Sequence, residues 1–248
     1  MQGHALIIAG SPYKTGAAFL AAKSCIQSGA GLVTVYCDNQ SSRQLNQFCP
    51  EAMSLQNESE LKEALDNNLF DSILIGPGLG QSQEAAVLLD LLLQYSIPTV
   101  LDADALNIIG IKKWHRKIHN QCILTPHVRE FSRITRLVQS DYERLKLLSH
   151  FVETHGCICL LKGAHTMMAH PNKTVYFNTT GNPYMATAGS GDCLAGIITA
   201  LLAQGYGCWE SSKIATFLHG LAGDEAIKKQ KPIKCSNIID NIHIPWED

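Results

Sequence analysis

The chain is punctuated by short apolar runs, each stopped by glycine, proline or a polar residue: Ala5–Ala9, Leu32–Cys37, Ser72–Gly76, Thr99–Asp102, Ile123–Thr125 and Cys157–Leu161. Runs this short are too brief for buried helices. Being apolar on consecutive residues rather than alternate ones, they suit strands covered on both faces. Between them lie stretches of helical character: Gly16–Ser28, Glu60–Asn67, Ser82–Gln94, Val128–Arg136 and Tyr142–His155. The alternation predicts an α/β fold, a mainly parallel central sheet flanked by helices on both faces. Later in the chain, Thr166–Ala169 and Thr174–Asn178 are joined by a His-Pro-Asn-Lys turn and read as an antiparallel hairpin. Helices are expected over Asp192–Ala203 and Glu210–Lys229. No linker, low-complexity stretch or internal repeat divides residues 1–248, so a single domain is expected.

Composition narrows the function. A chain of 248 residues can bury a core without disulfides or a structural metal. The formal charge of −2, with no basic block, argues against nucleic acid as a partner. The densest basic group, Lys112, Lys113, Arg116 and Lys117, reads as a solvated turn. Ala85–Leu93 and Leu194–Leu202 fall short of a membrane span, and the opening MQGHALIIAG reads as a first strand rather than a leader. Nine cysteines, an odd number without CxxC or paired zinc spacing, fit a reduced, cytoplasmic protein with no metal site of its own.

Ligands of such sheets bind beyond the carboxyl ends of the strands. The turns that follow the apolar runs are therefore the informative ones: Gly10–Gly16, Gly76–Gly80, Asp102–Asn107, Thr125–Glu130 and Lys162–Thr166, together with Gly181–Asp192 before the late helix. In the last, Gly189 and Gly191 let the backbone approach a ligand closely, and the start of an apolar helix adds unpaired N–H donors and a positive dipole end. Together these make an anion site. Asp192 stands where that helix begins. An aspartate there is ordinarily a cap. The two glycines before it favour a catalytic base, able to accept the proton of an attacking hydroxyl while N–H groups neutralise a transferring phosphoryl group. The helix dipole favours its ionised form. His127 reads equally well as a helix cap, and Lys162-Gly163 as a solvated turn. Asp102 and Asp104 read as positioning groups rather than direct metal ligands.

Taken together, these segments resemble the ADP/ATP-dependent NAD(P)H-hydrate dehydratase family of the ribokinase-like superfamily. They are Gly10-Ser11 with Gly16-Ala17, Gly29–Val33, Gly76–Gly80, Asp102–Asn107, Thr125–His127 with Glu130, Lys162-Gly163 with Thr166, and Gly181–Asp192. They stand in family order over nearly the whole chain. The resemblance implies a ribokinase-like fold and a hydro-lyase that repairs nicotinamide cofactors. The (6S) hydrates of NADH or NADPH are phosphorylated on the ring hydroxyl, and elimination of phosphate restores the ring. ADP gives AMP, or ATP gives ADP, with Mg2+ accompanying the donor. It implies Asp192 as the catalytic residue. Ala17, Gly78, His127 and Asp192 would contact the hydrated dinucleotide, and Lys162, Gly163, Ala164, His165, Thr166, Gly189 and Gly191 the adenine nucleotide. It also implies an epimerase of the hydrate on a separate protein. Related proteins often form homo-oligomers, although no apolar stripe names an interface here.

Three residues depart from the family pattern. Ala188 and Ser190 replace a glycine and a threonine of the anion turn, and Arg129 replaces a small residue before Glu130. Ala188 would be strained if its position required a positive φ. Two other functions stay open on the sequence: a small-molecule kinase of the same superfamily, and a non-catalytic adenylate-binding sensor.

Overall fold

The computed structural model describes residues 2–229 and 231–243. In chain order the elements are β1 (His4–Ile8), α1 (Thr15–Gln27), β2 (Leu32–Tyr36), α2 (Asn39–Phe48), β3 (Met53–Leu55), α3 (Glu58–Asp66), β4 (Ser72–Ile75) and α4 (Gln83–Leu92). These are followed by β5 (Thr99–Leu101), α5 (Asp104–Lys112), β6 (Cys122–Leu124), α6 (Val128–Ile134), α7 (Asp141–His155) and β7 (Ile158–Leu161). The last are β8 (Met167–Ala169), β9 (Val175–Phe177), α8 (Ser190–Ala203), α9 (Cys208–Lys229) and α10 (Cys235–Ile239). All nine strands form one sheet in the order β3-β2-β1-β4-β5-β6-β7-β8-β9. β1 to β7 are parallel, and β8 and β9 continue the sheet antiparallel, as the hairpin reading expects.

The two faces explain the uninterrupted apolar runs. Ala5 and Ile7 of β1 point into one core with Val33, Val35, Leu74 and Ile158, under α1, α8, α9 and α10. Leu6 and Ile8 point into the other, with Ile73, Ile75, Leu101 and Leu161, under α3 to α7. Alternate residues thus face opposite sides, and both sides are covered. The expected α/β architecture is the one found.

α8 is the helix on which the site depends, and it lies deep. Cys193 to Ala203 are all buried. Its Gly196 passes so close to α1 that a β-carbon there would collide with the Ala21 carbonyl and the Ser24 hydroxyl. The facing side of α1 is small: Ala18, Ala21, Ala22 and Cys25 are buried. Two long-range hydrogen bonds fix α8 along its length. The Ser72 hydroxyl donates to the Thr199 carbonyl at 2.8 Å, and the Gln204 amide donates to the Ser28 carbonyl at 2.9 Å across 176 residues of sequence.

Four elements escape the sequence pattern. α2 (NQSSRQLNQF) has Leu45 as its one buried apolar residue, so it lacks an apolar stripe. β3 is a three-residue edge strand, and α10 is a single short turn. α5 grows out of Asp102–Asn107, read above as a turn. The chain enters it through Ala103 at φ 47°, ψ −113°, which no propensity rule anticipates in an alanine.

Candidate active site

The carboxyl ends of β5, β6 and β7 stand side by side and bring three of the sequence segments together. Thr125 N–H donates to the Leu101 carbonyl at 3.1 Å, Lys162 N–H donates to the Pro126 carbonyl at 2.8 Å, and His127 and Lys162 form a parallel bridge. Asp102 follows β5 and is 1% exposed. Its Oδ1 receives the Lys162 Nζ at 2.8 Å. The first turn of α8 settles onto this pair: a β-carbon on Gly191 would lie 3.2 Å from Lys162 Nζ and 3.9 Å from Asp102 Oδ2. A side chain there would crowd the ammonium, so glycine is the residue that lets the helix start meet the pair.

Asp192 is the next residue, and its carboxylate accepts no hydrogen bond from the described residues. Burial and the carboxylates of Asp102 and Glu130 push its pKa up to about 6, against the pull of Lys162. The helix start alone therefore does not set its ionisation. At neutral pH it is mostly ionised and close to the balance point that suits a general base. Lys162 is raised as well, from the opposite cause. Burial would lower its pKa, but Asp102, Glu130 and Asp192 outweigh burial and raise it, so it stays an ammonium.

The anion turn is held from behind. Gly189, at φ 87°, caps α8 against Leu20 and Cys235, and its carbonyl accepts from Cys193 N–H at 2.9 Å and Cys235 Sγ at 3.1 Å. Asp224 of α9 receives Gly181 N–H and the Asn182 amide, both at 2.9 Å. Ala188 is not among the residues with positive φ; that conformation falls on Gly181 and Gly189. The strain foreseen for Ala188 is therefore absent. His219, one turn before Asp224 on α9, is the residue that sequence reasoning missed. Its Nε2 lies 3.3 Å from the Ser190 hydroxyl, and burial pushes its pKa down to about 4, so it is neutral at physiological pH. Its spacing matches no motif; only the return of α9 across the start of α8 brings it there.

The remaining predicted residues fall into two groups. Gly78 and Ala17 pack on each other, a β-carbon on Gly78 lying 2.9 Å from that of Ala17. Asp104 organises this neighbourhood rather than the chemistry: its carboxylate receives Gly80 N–H and the Gln81 amide at 2.9 Å and the Asn107 amide at 3.3 Å, with Lys14 at 3.6 Å. His127 caps α6. Its Nδ1 accepts from Arg129 and Glu130 N–H at 3.1 and 3.2 Å, Glu130 Oε2 accepts from His127 N–H at 2.8 Å, and Nε2 lies 3.3 Å from Glu130 Oε1. The ring is about half exposed, beside Lys162. Gly163, Ala164 and His165 form an exposed loop that Thr166 ends, its carbonyl receiving Asn178 N–H at 3.0 Å.

Among the described residues no three His, Cys, Asp or Glu side chains converge as a metal site. A divalent ion arriving on the phosphates of a nucleotide would meet at most one or two carboxylates of the cluster. That is the usual situation of Mg2+, and the excess of three carboxylates over one lysine suits such a companion.

The family model for NAD(P)H-hydrate dehydratase matches residues 5–243. The chain belongs to the NAD(P)H-hydrate dehydratase family. It is 35% identical to the bifunctional NAD(P)H-hydrate repair enzyme of Moorella thermoacetica, over 97% of this chain and 48% of that protein. It is 33% identical to the ADP-dependent (S)-NAD(P)H-hydrate dehydratase of Staphylococcus aureus, over 97% and 87%. The chain thus spans about half the length of its bifunctional relatives in this family. Among solved structures, a dehydratase from Bacillus subtilis co-crystallised with ATP and Mg2+ superposes with a TM-score of 0.83 at 26% identity, covering 97% of this chain and 87% of that one. A hydroxyethylthiazole kinase from Pyrococcus horikoshii, with TM-score 0.72, 15% identity and 97% and 87% coverage, shares the ribokinase-like fold alone.

Proposed function

We propose that this chain dehydrates the (6S) hydrates of NADH and NADPH, with ADP or ATP as phosphoryl donor, as an ADP/ATP-dependent NAD(P)H-hydrate dehydratase. The observation that carries this reading is Asp192: a carboxylate without a hydrogen bond from the described residues, its pKa raised to about 6, at the start of α8 and beside Lys162. Hydroxide leaves a carbon poorly and phosphate leaves it well, which gives a kinase-like site a use in dehydration. Asp192 accepts the proton of the ring hydroxyl as its oxygen attacks the terminal phosphorus. The bond from that phosphorus to the nucleotide breaks, releasing AMP from ADP or ADP from ATP. The ring nitrogen lone pair then expels phosphate, and loss of a proton from the neighbouring carbon restores the double bond. Lys162 and the N–H groups at the start of α8 neutralise charge on the moving phosphoryl group. Mg2+, when bound with the donor, supplies further charge neutralisation on its phosphates.

In this reading Ala17, Gly78, His127 and Asp192 face the dinucleotide, and Lys162 to Thr166 with Gly189 and Gly191 face the nucleotide. The single domain over 1–248 belongs to the same proposal, and relatives named bifunctional, which this chain matches over about half their length, support a link to a second repair activity on the hydrate. A cytoplasmic setting belongs to it too, supported by nine free cysteines; among the described residues no helix is long and apolar enough to cross a membrane.

The test is recovery of near-ultraviolet absorbance from chemically hydrated NADH, with Mg2+ and either ADP or ATP. Restored NADH with one phosphate released per molecule is expected. A stable phosphorylated product would instead make the chain a kinase, and nucleotide binding without turnover of any hydrate would make it a sensor.

A further inference from the structure

A cavity of about 550 Å³ opens on the same edge of the sheet, beyond the ends of β1, β2 and β3 and beside the start of α4. Its lining includes Gly10, Ser11 and Leu79, and Leu79 is the chain neighbour of Gly78, which packs on Ala17 and is assigned to the dinucleotide in the reading proposed above. β2 lies three strands from β5, which places Asp38 about 14 Å from the Asp102 end at the usual strand spacing. That is the scale of an extended dinucleotide whose nicotinamide end is at Asp192. Tyr36, Leu79, Val87 and Leu88 give the cavity apolar walls of the kind a purine packs on.

Its polar lining has one sign. Three helices start here, and helix starts ordinarily attract phosphate. Each of these already carries a carboxylate: Asp38 caps α2, Glu58 is the first residue of α3, and Glu84 lies in the first turn of α4. No lysine or arginine lines the cavity among the described residues. The Asp38 Oδ1 is filled by Gln40 and Ser41 N–H at 2.8 and 3.0 Å. Among the described residues Oδ2 accepts the Ser41 hydroxyl alone, at 2.8 Å, and keeps room for one more donor. Glu58 lines the same cavity, as does Tyr36. The strand order β3-β2-β1-β4-β5-β6 is also one in which an acidic residue after the second strand can accept from a ribose hydroxyl.

We propose that this cavity receives the adenosine end of the hydrated dinucleotide, and that Asp38 and Glu58 select a free 2′-hydroxyl over a 2′-phosphate. The inference rests on the reaction proposed above, and it makes the NADH hydrate the preferred substrate. A hydroxyl donates to these carboxylates, whereas a phosphate dianion meets like charge and no cation.

Calorimetric titration of NADH and of NADPH, with AMP held at saturation to occupy the donor site, reads this without turnover. NADH is expected to bind about tenfold more tightly than NADPH, and Asp38→Asn combined with Glu58→Gln to narrow the gap to about threefold or less. Asparagine is as good a helix cap as aspartate, so the variant keeps its fold. Val87→Trp, at a half-exposed position on the cavity wall, fills the space and is expected to weaken both ligands. Equal affinity for NADH and NADPH in the unmodified protein, or a gap that neither change moves, overturns the inference. The hydrate-recovery assay run alongside separates the two claims. Failed recovery with the binding preference intact removes the reaction and leaves the subsite. Recovery at equal kcat/KM on the two hydrates, before and after substitution, leaves the reaction and removes the subsite.

Discussion

Asp104 and Asp192 are the same residue type in the same local position, the first turn of a helix at the carboxyl edge of one sheet. Their surroundings make them opposites. Although burial opposes it, donors from Gln81, Gly80 and Asn107 and the charge of Lys14 hold the Asp104 carboxyl below its ordinary range. At Asp192 burial and two neighbouring carboxylates raise it to about 6, and no donor from the described residues meets it. Where donors converge, a helix-start aspartate ties a loop down. Where charges converge without donors, it is left available for proton transfer.

The sharpest way to break the contrast is to remove each carboxylate in turn. Asp192→Asn is expected to lower turnover of hydrated NADH by about 10²–10⁴-fold while nucleotide binding, read by calorimetry, is retained. The same change should stabilise the fold at pH 7 by on the order of 2 kcal/mol. A carboxyl whose folded pKa of about 6 exceeds its unfolded value costs stability that grows as pH rises from about 4 to 6, so the gain should vanish below pH 4. In the hydrate-recovery assay, kcat/KM of the unmodified protein should rise with pH through about 6 and level off. Lys162→Met leaves Asp102 buried without its counter-charge and should cost about 3–5 kcal/mol in denaturant unfolding, most of it recovered by adding Asp102→Asn.

His219 carries a proton-linked effect of the opposite sign. Its folded pKa of about 4 lies below the unfolded value, so stability is lost as pH falls from about 6.5 to 4, by on the order of 2–3 kcal/mol. His219→Gln should flatten that limb of a pH–stability curve. Asp104→Ala strands Gly80 N–H and the Gln81 amide and should cost about 1–3 kcal/mol, with faster amide exchange at Gly80. Thus one aspartate deletion destabilises and the other stabilises. Ala188→Gly should change turnover less than about twofold, because Ala188 is not held in a glycine-like conformation.

The sheet was legible because strands covered on both faces must be apolar at every position, which leaves runs such as Ser72–Gly76 unmistakable. α2 was not, since an edge helix with one buried apolar residue has too little apolar content to stand out from a polar loop. The Asp102–Asn107 segment misled in a different way. A left-handed alanine between two aspartates lets Asp102 face Lys162 and Asp104 face Gly80, and backbone strain of this kind leaves no mark on composition. At the site, Asp192 and Gly191 could be singled out because their chemistry is tied to a local turn, whereas Lys162 read equally well as a solvated turn until its pairing with Asp102, 60 residues away, was seen. His219 depends on how α9 lies over α8, and nothing near it in sequence announces that.

The packing of α8 against α1 bears on how the molecule is made. The hydrogen bond between Gln204 and Ser28 spans 176 residues, so at about 5–20 residues per second the ribosome leaves α1 and its strand without their covering helix for roughly 10–30 s. During that interval the stretch of α1 that Gly196 will meet presents Ala18, Ala21, Ala22 and Cys25, small side chains, while Phe19, Leu20 and Ile26 beside them also await their cover. The close approach that Gly196 permits thus serves biosynthesis as well as the finished protein: where the two helices meet most closely, the first-made one waits with small side chains only.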